Sequence, residues 1–300
     1  MSPRPADAPD VIDAALLDEA LVGRLLAEQF TQWADLPVRR VVDGGNDHRM
    51  FRLGETLSVR LPSAAGYVPQ VEKEQTWLPR LAMQLPLPIP QVRGAGRASS
   101  AFPAPWSVYG WIAGTPASPK DVRNEQRFAS DLAGFLVALR SADPSDAPGP
   151  GPHSAFRGGP PEHWDEEMHD LVHRVSGRER ELARAIWSDA LDARFDGTPA
   201  WVHGDVAIAN LLVGRDGRLS AVIDFGCSAV GDPACDTVIR WTQLRGRARR
   251  TFVQELGVDD ATWARGRGWA LWKGLIMLTN EPPGQAQFAR HVLDEVFAGG

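Results

Sequence analysis

The apolar positions of the chain change period after residue 33. Over residues 11–33, Leu17, Leu21 and Leu25 recur at helical spacing, as do Leu26 and Phe30, and this predicts an amphipathic helix. A short β-branched run follows at Val38–Val42, then a turn at Asp43-Gly44-Gly45-Asn46-Asp47, then Arg49–Leu53. In the next run, Thr56–Leu61, the apolar Leu57, Val59 and Leu61 alternate with Thr56, Ser58 and Arg60. These runs predict an antiparallel meander with one apolar face and Arg60 on the other. Val68–Leu81 reads as a helix ended by Pro86, Pro88 and Pro90, and Gln91–Arg97 and Trp106–Trp111 read as two further strands.

After Gly114 the pattern turns helical. Phe128, Leu132, Phe135, Leu136 and Leu139 form one stripe of a helix over Lys120–Arg140. Residues 141–161 hold six Pro and four Gly and predict an irregular loop. Helices are expected at Trp164–Val175 and Arg178–Ala193. Two short strands, Leu211–Val213 and Leu219–Ile223, are expected on either side of the Gly214–Arg218 turn, and the chain from Asp236 on reads as helical. The expected fold class is thus α+β. A small antiparallel-sheet part spans 1–112 and a larger, mainly helical part spans 113–300.

Composition narrows the function. Net charge is −6, split as −1 over residues 1–110 and −5 over 111–300. The basic face of a nucleic-acid binder is missing. The acidic C-terminal part suits a cationic small molecule, but the favoured reading is a solvated surface. No apolar run is long enough for a membrane helix, and the first ten residues lack the layout of a secretory signal. Two cysteines, Cys227 and Cys235, make no disulfide framework, so the expected location is the cytoplasm. Only three of the 32 basic residues are lysine, which is read as codon usage with no functional content.

The chemistry concentrates in His203-Gly204-Asp205-Val206-Ala207-Ile208-Ala209-Asn210, then the hairpin, then Ile223-Asp224-Phe225-Gly226. Asp205 and Asn210 lie five residues apart on one loop, and the hairpin returns Asp224 beside Asn210. Two hard oxygens from Asn210 and Asp224 suit Mg²⁺, which keeps waters and takes further ligands from phosphates. Asp205 is then left to accept a hydroxyl proton.

Together with Gly231-Asp232-Pro233-Ala234-Cys235-Asp236, these residues resemble the aminoglycoside phosphotransferase family. That family has a protein-kinase-like fold and includes macrolide phosphotransferases and choline kinase. The resemblance implies two lobes with ATP or GTP between them. It implies Asp205 as catalytic base, Asn210 and Asp224 as Mg²⁺ ligands, and His203 and Asp236 as braces of the catalytic loop. It places the nucleotide-positioning loop at Gly44, Gly45 and Asn46, although a Gly-Gly turn also arises for steric reasons alone. Arg60 stands where the family usually has lysine, with Glu74, at the start of the crossing helix, as its partner. Lys73 is discounted, because it would point away from that face. Tyr109-Gly110-Trp111-Ile112 resembles the hinge, with Tyr109 at the back of the pocket and adenine on backbone groups of Gly110 and Ile112.

Glu162, Asp165 and Glu166 are candidate contacts for an acceptor's ammonium groups, or simply acids at a helix N-terminus. His169 and His173 are four apart but lack a third ligand. The expected activity is ATP- or GTP-dependent transfer of the γ-phosphoryl to a hydroxyl of an antibiotic or metabolite. The acceptor is a small molecule, cationic if the acidic cluster serves it, and no nucleic acid or membrane is a partner. The rival is a nucleotide-binding pseudoenzyme or regulatory module, supported by Arg60 in the lysine position.

Overall fold

The computed structural model describes residues 12–41, 47–118, 120–278 and 283–299. Helix α1 (Glu19–Gln29) begins where the Asp18 carboxylate accepts a hydrogen bond from the Leu21 amide at 2.7 Å. That cap splits the long helix expected over 11–33: 3₁₀ turns at Ala14–Leu16 and Thr31–Trp33 flank α1.

Strands β1 (Val38–Arg40), β2 (His48–Leu53) and β3 (Leu57–Pro62) come next. Helix α2 (Val68–Leu81) and strands β4 (Val92–Gly96) and β5 (Trp106–Gly110) follow. The five strands form one antiparallel sheet in the order β1-β2-β3-β5-β4. Its apolar face, with Phe51, Leu53, Val59, Leu61 and Val108, packs on Leu21, Val22, Leu25 and Leu26 of α1. The pleat sends Ser58 and Arg60 to the opposite face, over the cleft.

The second lobe is mainly helical. Strand β6 (Thr115–Pro116) leads into α3 (Glu125–Ser141), which starts at Glu125 rather than Lys120 because Asn124 caps the Arg127 amide at 2.9 Å. Helix α4 is Asp165–Leu171, bounded by 3₁₀ turns, and α5 is Gly177–Asp192. Strands β7 (Ala200–Val202), β8 (Leu211–Val213), β9 (Leu219–Val222) and β10 (Ala229–Gly231) form two small sheets, β10-β7 and β6-β8-β9. Helices α6 (Ile239–Thr242), α7 (Gly246–Leu256), α8 (Asp260–Met277) and α9 (Pro283–Phe297) complete the lobe. One core gathers Phe128, Leu132 and Phe135 of α3 with Phe252 of α7; another gathers Trp187, Trp269, Leu275 and Leu293. No described helix is long and apolar enough to cross a membrane.

The Pro/Gly-rich segment after α3 is irregular, as its composition predicts, but it is tied down. The Val230 amide donates to Pro148 O at 2.9 Å and the Asp232 amide to Gly158 O at 2.8 Å. Ala155 and Phe156 take the left-handed conformation in succession, with φ 46 and 55. Non-glycine residues adopt that region at a cost.

Candidate active site

The catalytic-loop motif folds around a buried carboxylate. Asp236 Oδ2 accepts the His203 amide at 2.7 Å, and its Oδ1 accepts the Gly204 amide at 2.8 Å. The His203 ring contacts the Ile223 carbonyl at 3.0 Å and accepts the Asp205 amide at 3.3 Å. His203 is fully buried. Gly204 has φ +81, and a Cβ there would sit 2.2 Å from the Cys227 carbonyl, so only glycine lets the loop lie this close to the turn after Asp224. Burial pushes the Asp236 carboxyl above its usual range, even with His203 beside it. The turn ahead of it is locked by a buried ion pair: Asp232 meets Arg265 at 2.6 and 3.0 Å.

Asp205 emerges from this platform half-exposed. Its Oδ1 accepts from Lys273 Nζ at 3.1 Å and its Oδ2 from Asn210 Nδ2 at 3.1 Å. Burial raises its carboxyl, but Lys273 and His203 outweigh burial and hold it below the usual carboxylate range. Asn210 also bonds the Asp205 carbonyl at 3.0 Å, which commits its amide nitrogen and leaves its oxygen for other work. The hairpin closes as the Ile223 amide donates to Asn210 O at 2.9 Å. Asp224 follows in the left-handed conformation, φ 66, and shares one cavity with Asn210. Among the described residues no group of three or more His, Cys, Asp or Glu side chains is placed to hold a metal alone. Two oxygens that need phosphate and water to complete a shell match the donor set Mg²⁺ accepts.

Above them, Arg60 joins the lobes. Its Nη1 reaches both Glu74 oxygens at 3.4 and 3.3 Å, and its Nη2 donates to Asp224 Oδ1 at 3.0 Å. Burial alone would lower the guanidinium's pKa; Glu74 and Asp224 together raise it. Glu74 sits mid-way along α2 rather than at its start, and the Tyr109 hydroxyl bonds it from the back of the cavity. The cavity, about 370 Å³, is lined by Val41, Met50, Leu212 and Ile223 with the segment Tyr109–Ile112. Gly110 spends its amide on Gln91 O at 2.9 Å. Among the described residues the Ile112 amide has no backbone acceptor. Gly44, Gly45 and Asn46 lie outside the described residues.

The lysines carry more than the composition conveyed, since two of the three stand at the site. Lys273 holds Asp205. Lys73, discounted on its helix face, turns away from Glu74 and donates to the carbonyls of Gly226 at 2.6 Å, Ser228 at 2.7 Å and His153 at 3.2 Å. It thereby fastens α2 to the turn after Asp224, and burial lowers its pKa to about 8. The acidic candidates fare differently. Asp165 accepts the Trp187 indole N–H at 2.7 Å, and Glu162 and Glu166 are exposed and do not line the surface beside Asp205. That surface is instead formed by Arg157, Val238, Trp269, Trp272 and Lys273. Trp269, Trp272 and Lys273 fall on one face of α8, a helical spacing that was readable in the sequence.

A profile of the Phosphotransferase enzyme family matches residues 38–269. The chain belongs to that family. The match spans both the sheet lobe with Arg60 and the loop that carries Asp205, Asn210 and Asp224. Solved structures of the family share the fold over nearly the whole chain. The GDP and kanamycin complex of APH(2")-IIia is 19% identical, covers 93% of this chain and 99% of its own, and superposes with a TM-score of 0.72. The macrolide 2'-phosphotransferase MphH from Brachybacterium faecium is 21% identical, with 92% and 97% coverage and a TM-score of 0.62. The streptomycin-ATP ternary complex of APH(2")-IIa is 20% identical, with 94% and 98% coverage and a TM-score of 0.59. No curated protein matches the sequence.

Proposed function

We propose that this phosphotransferase uses ATP or GTP to phosphorylate a hydroxyl of a small molecule, in the cytoplasm, with its two lobes parting between residues 112 and 113. One observation carries the reading. Asp205 is presented as a carboxylate between Lys273 and Asn210, directly below the cleft where Arg60 ties Glu74 to Asp224. Two of the structural relatives named above are complexes, one with GDP and kanamycin and one with streptomycin and ATP, which supports a nucleotide donor and a small-molecule acceptor.

The nucleotide lies under β3 and β5, with its base between the apolar lining and Tyr109–Ile112, and Arg60, which lines the same cavity, brings positive charge to the phosphates. Asp205 accepts a hydrogen bond from the acceptor hydroxyl and takes its proton as the new O–P bond forms. The bond from the γ-phosphorus to its bridging oxygen breaks, and the nucleoside diphosphate leaves. Asn210 and Asp224 would hold Mg²⁺, which when bound neutralises phosphate charge. His203 and Asp236 keep the loop rigid, so most of the rate comes from positioning. A nucleotide-binding module without transfer has Arg60 in its favour, yet Arg60 makes the carboxylate contact expected of the lysine it replaces.

Transfer from labelled ATP and GTP is tested over aminoglycosides, macrolides, amino alcohols and hydroxy acids, alongside calorimetry of Asp224→Ala. The expected results are a phosphorylated acceptor in wild type and loss of Mg²⁺-dependent nucleotide affinity in Asp224→Ala. Binding of MgATP by Asp224→Ala as tight as wild type would remove Asp224 from the site.

A further inference from the structure

Beyond Asp205, on the side away from the nucleotide cavity, the protein carries positive charge. The Arg157 guanidinium lies over Trp272 at 4.4 Å, Trp269 at 5.1 Å and Trp164 at 5.7 Å. Among the described residues no carboxylate lies within salt-bridge distance of it. Its Nη1 is enclosed and has no hydrogen-bond partner. Lys273 lies on the same surface, with its charge directed at Asp205. The nearby acids are turned elsewhere: Glu167 accepts the Trp272 indole N–H at 2.7 Å and Asp165 that of Trp187.

The chain goes to some length to put Arg157 there. The two consecutive left-handed residues, Ala155 and Phe156, immediately precede it, and Phe156 stacks on His163 at 3.8 Å between ring centroids. The Arg157 stem packs against the Gly204 backbone, the residue before the proposed base. A guanidinium held among indole faces loses little freedom when it binds, and its fork of donors matches a carboxylate.

We propose that this surface is the acceptor's anion site, so that the acceptor is a hydroxylated carboxylate and not a polycationic sugar. The assignment rests on the phosphotransferase reading above. A carboxylate on Arg157 places the rest of the acceptor over Val238 and the tryptophan edges, with its hydroxyl at Asp205. A polyamine would instead set ammonium groups against Arg157 and Lys273, and Asp205, the acid that lines this surface, is already paired with Lys273.

The test is a transfer assay with two acceptor sets. The anionic set is gluconate, glycerate, 3-phenyllactate and glycerol 3-phosphate, the last separating phosphate from carboxylate recognition. The cationic set is kanamycin, streptomycin, erythromycin and choline. The expected result is transfer to a carboxylate-bearing alcohol. Arg157→Gln should raise its KM about 10- to 100-fold, the loss of a charge-assisted contact, and Arg157→Lys should recover part of it. Thermal unfolding of each variant separates lost binding from lost folding. Three results would overturn the assignment: transfer to the cationic set alone, glycerol 3-phosphate as the one anionic acceptor used, or a nucleotide KM that moves in Arg157→Gln as much as the acceptor KM. Failure of the underlying reading looks different, since nucleotide hydrolysis without acceptor would then persist in Asp205→Asn. Asp205-dependent hydrolysis with no anionic alcohol phosphorylated would overturn the acceptor class alone.

Discussion

Arg60 and Arg157 stand on opposite sides of Asp205 and keep different company. Arg60 is bracketed by Glu74 and Asp224, at 3.3 and 3.0 Å, and also meets the His48 ring at 3.3 Å. Arg157 has three tryptophan rings and, among the described residues, no carboxylate within salt-bridge distance. The first is part of a charge network that holds two lobes in register, and its neighbours depend on it as much as it does on them. The second is held by indole rings, which take no hydrogen bond from its N–H donors. Two identical side chains thus carry different consequences for stability, and the partners decide which.

The same substitution at both positions is the sharpest way to break that comparison. Arg60→Ala leaves Glu74, 2% exposed, without its cation. The expected loss is about 3–5 kcal/mol in urea unfolding, because an orphaned buried charge costs more than its pair contributed. Nucleotide KM should rise about 10- to 100-fold with it.

A smaller effect is expected from Lys73 of α2. Its pKa falls from the usual lysine value to about 8 in the folded state, so between that pH and 10.5 the unfolded chain binds more protons than the folded one. Stability from this group therefore rises across that window, by up to about 1.4 kcal/mol per pH unit. Lys73→Met should lack that rise in denaturant titrations at pH 8, 9 and 10. An unchanged slope would mean that Lys73 titrates as a surface lysine.

Arg157→Ala orphans no acid and loses chiefly its contacts with the indoles, so its cost should be the smallest of the three, about 1–2 kcal/mol. Equal losses at Arg60 and Arg157 would erase the distinction between them.

The fold was legible where local signals were strong. Helix α2 runs over the residues its pattern predicts, because the prolines beyond it leave little choice about where it stops. Where caps decide, periodicity overreached: Asp18 and Asn124 start α1 and α3 inside the stretches that their apolar stripes suggested. In the site, Asp205, Asn210 and Asp224 were readable because a loop and a hairpin, both short-range features, bring them together. Lys273 and Arg157 were not, since Lys273 meets Asp205 from 68 residues away and only helix packing decides that contact. Lys73 does not stand in for Arg60, as expected, but its fastening role was not readable for a related reason. A lysine stem is long enough to leave its own helix face and reach the carbonyls of Gly226 and Ser228.

All of this turns on Asp205 as the group that receives the hydroxyl proton. The direct measurement is single-turnover transfer by Asp205→Asn beside calorimetric nucleotide affinity. Asparagine keeps the size and the hydrogen bond to Asn210 within reach but removes the basic oxygen. The rate should fall about 10²- to 10⁴-fold while nucleotide affinity stays within a few-fold of wild type. A variant that transfers phosphoryl at the wild-type rate would contradict the account.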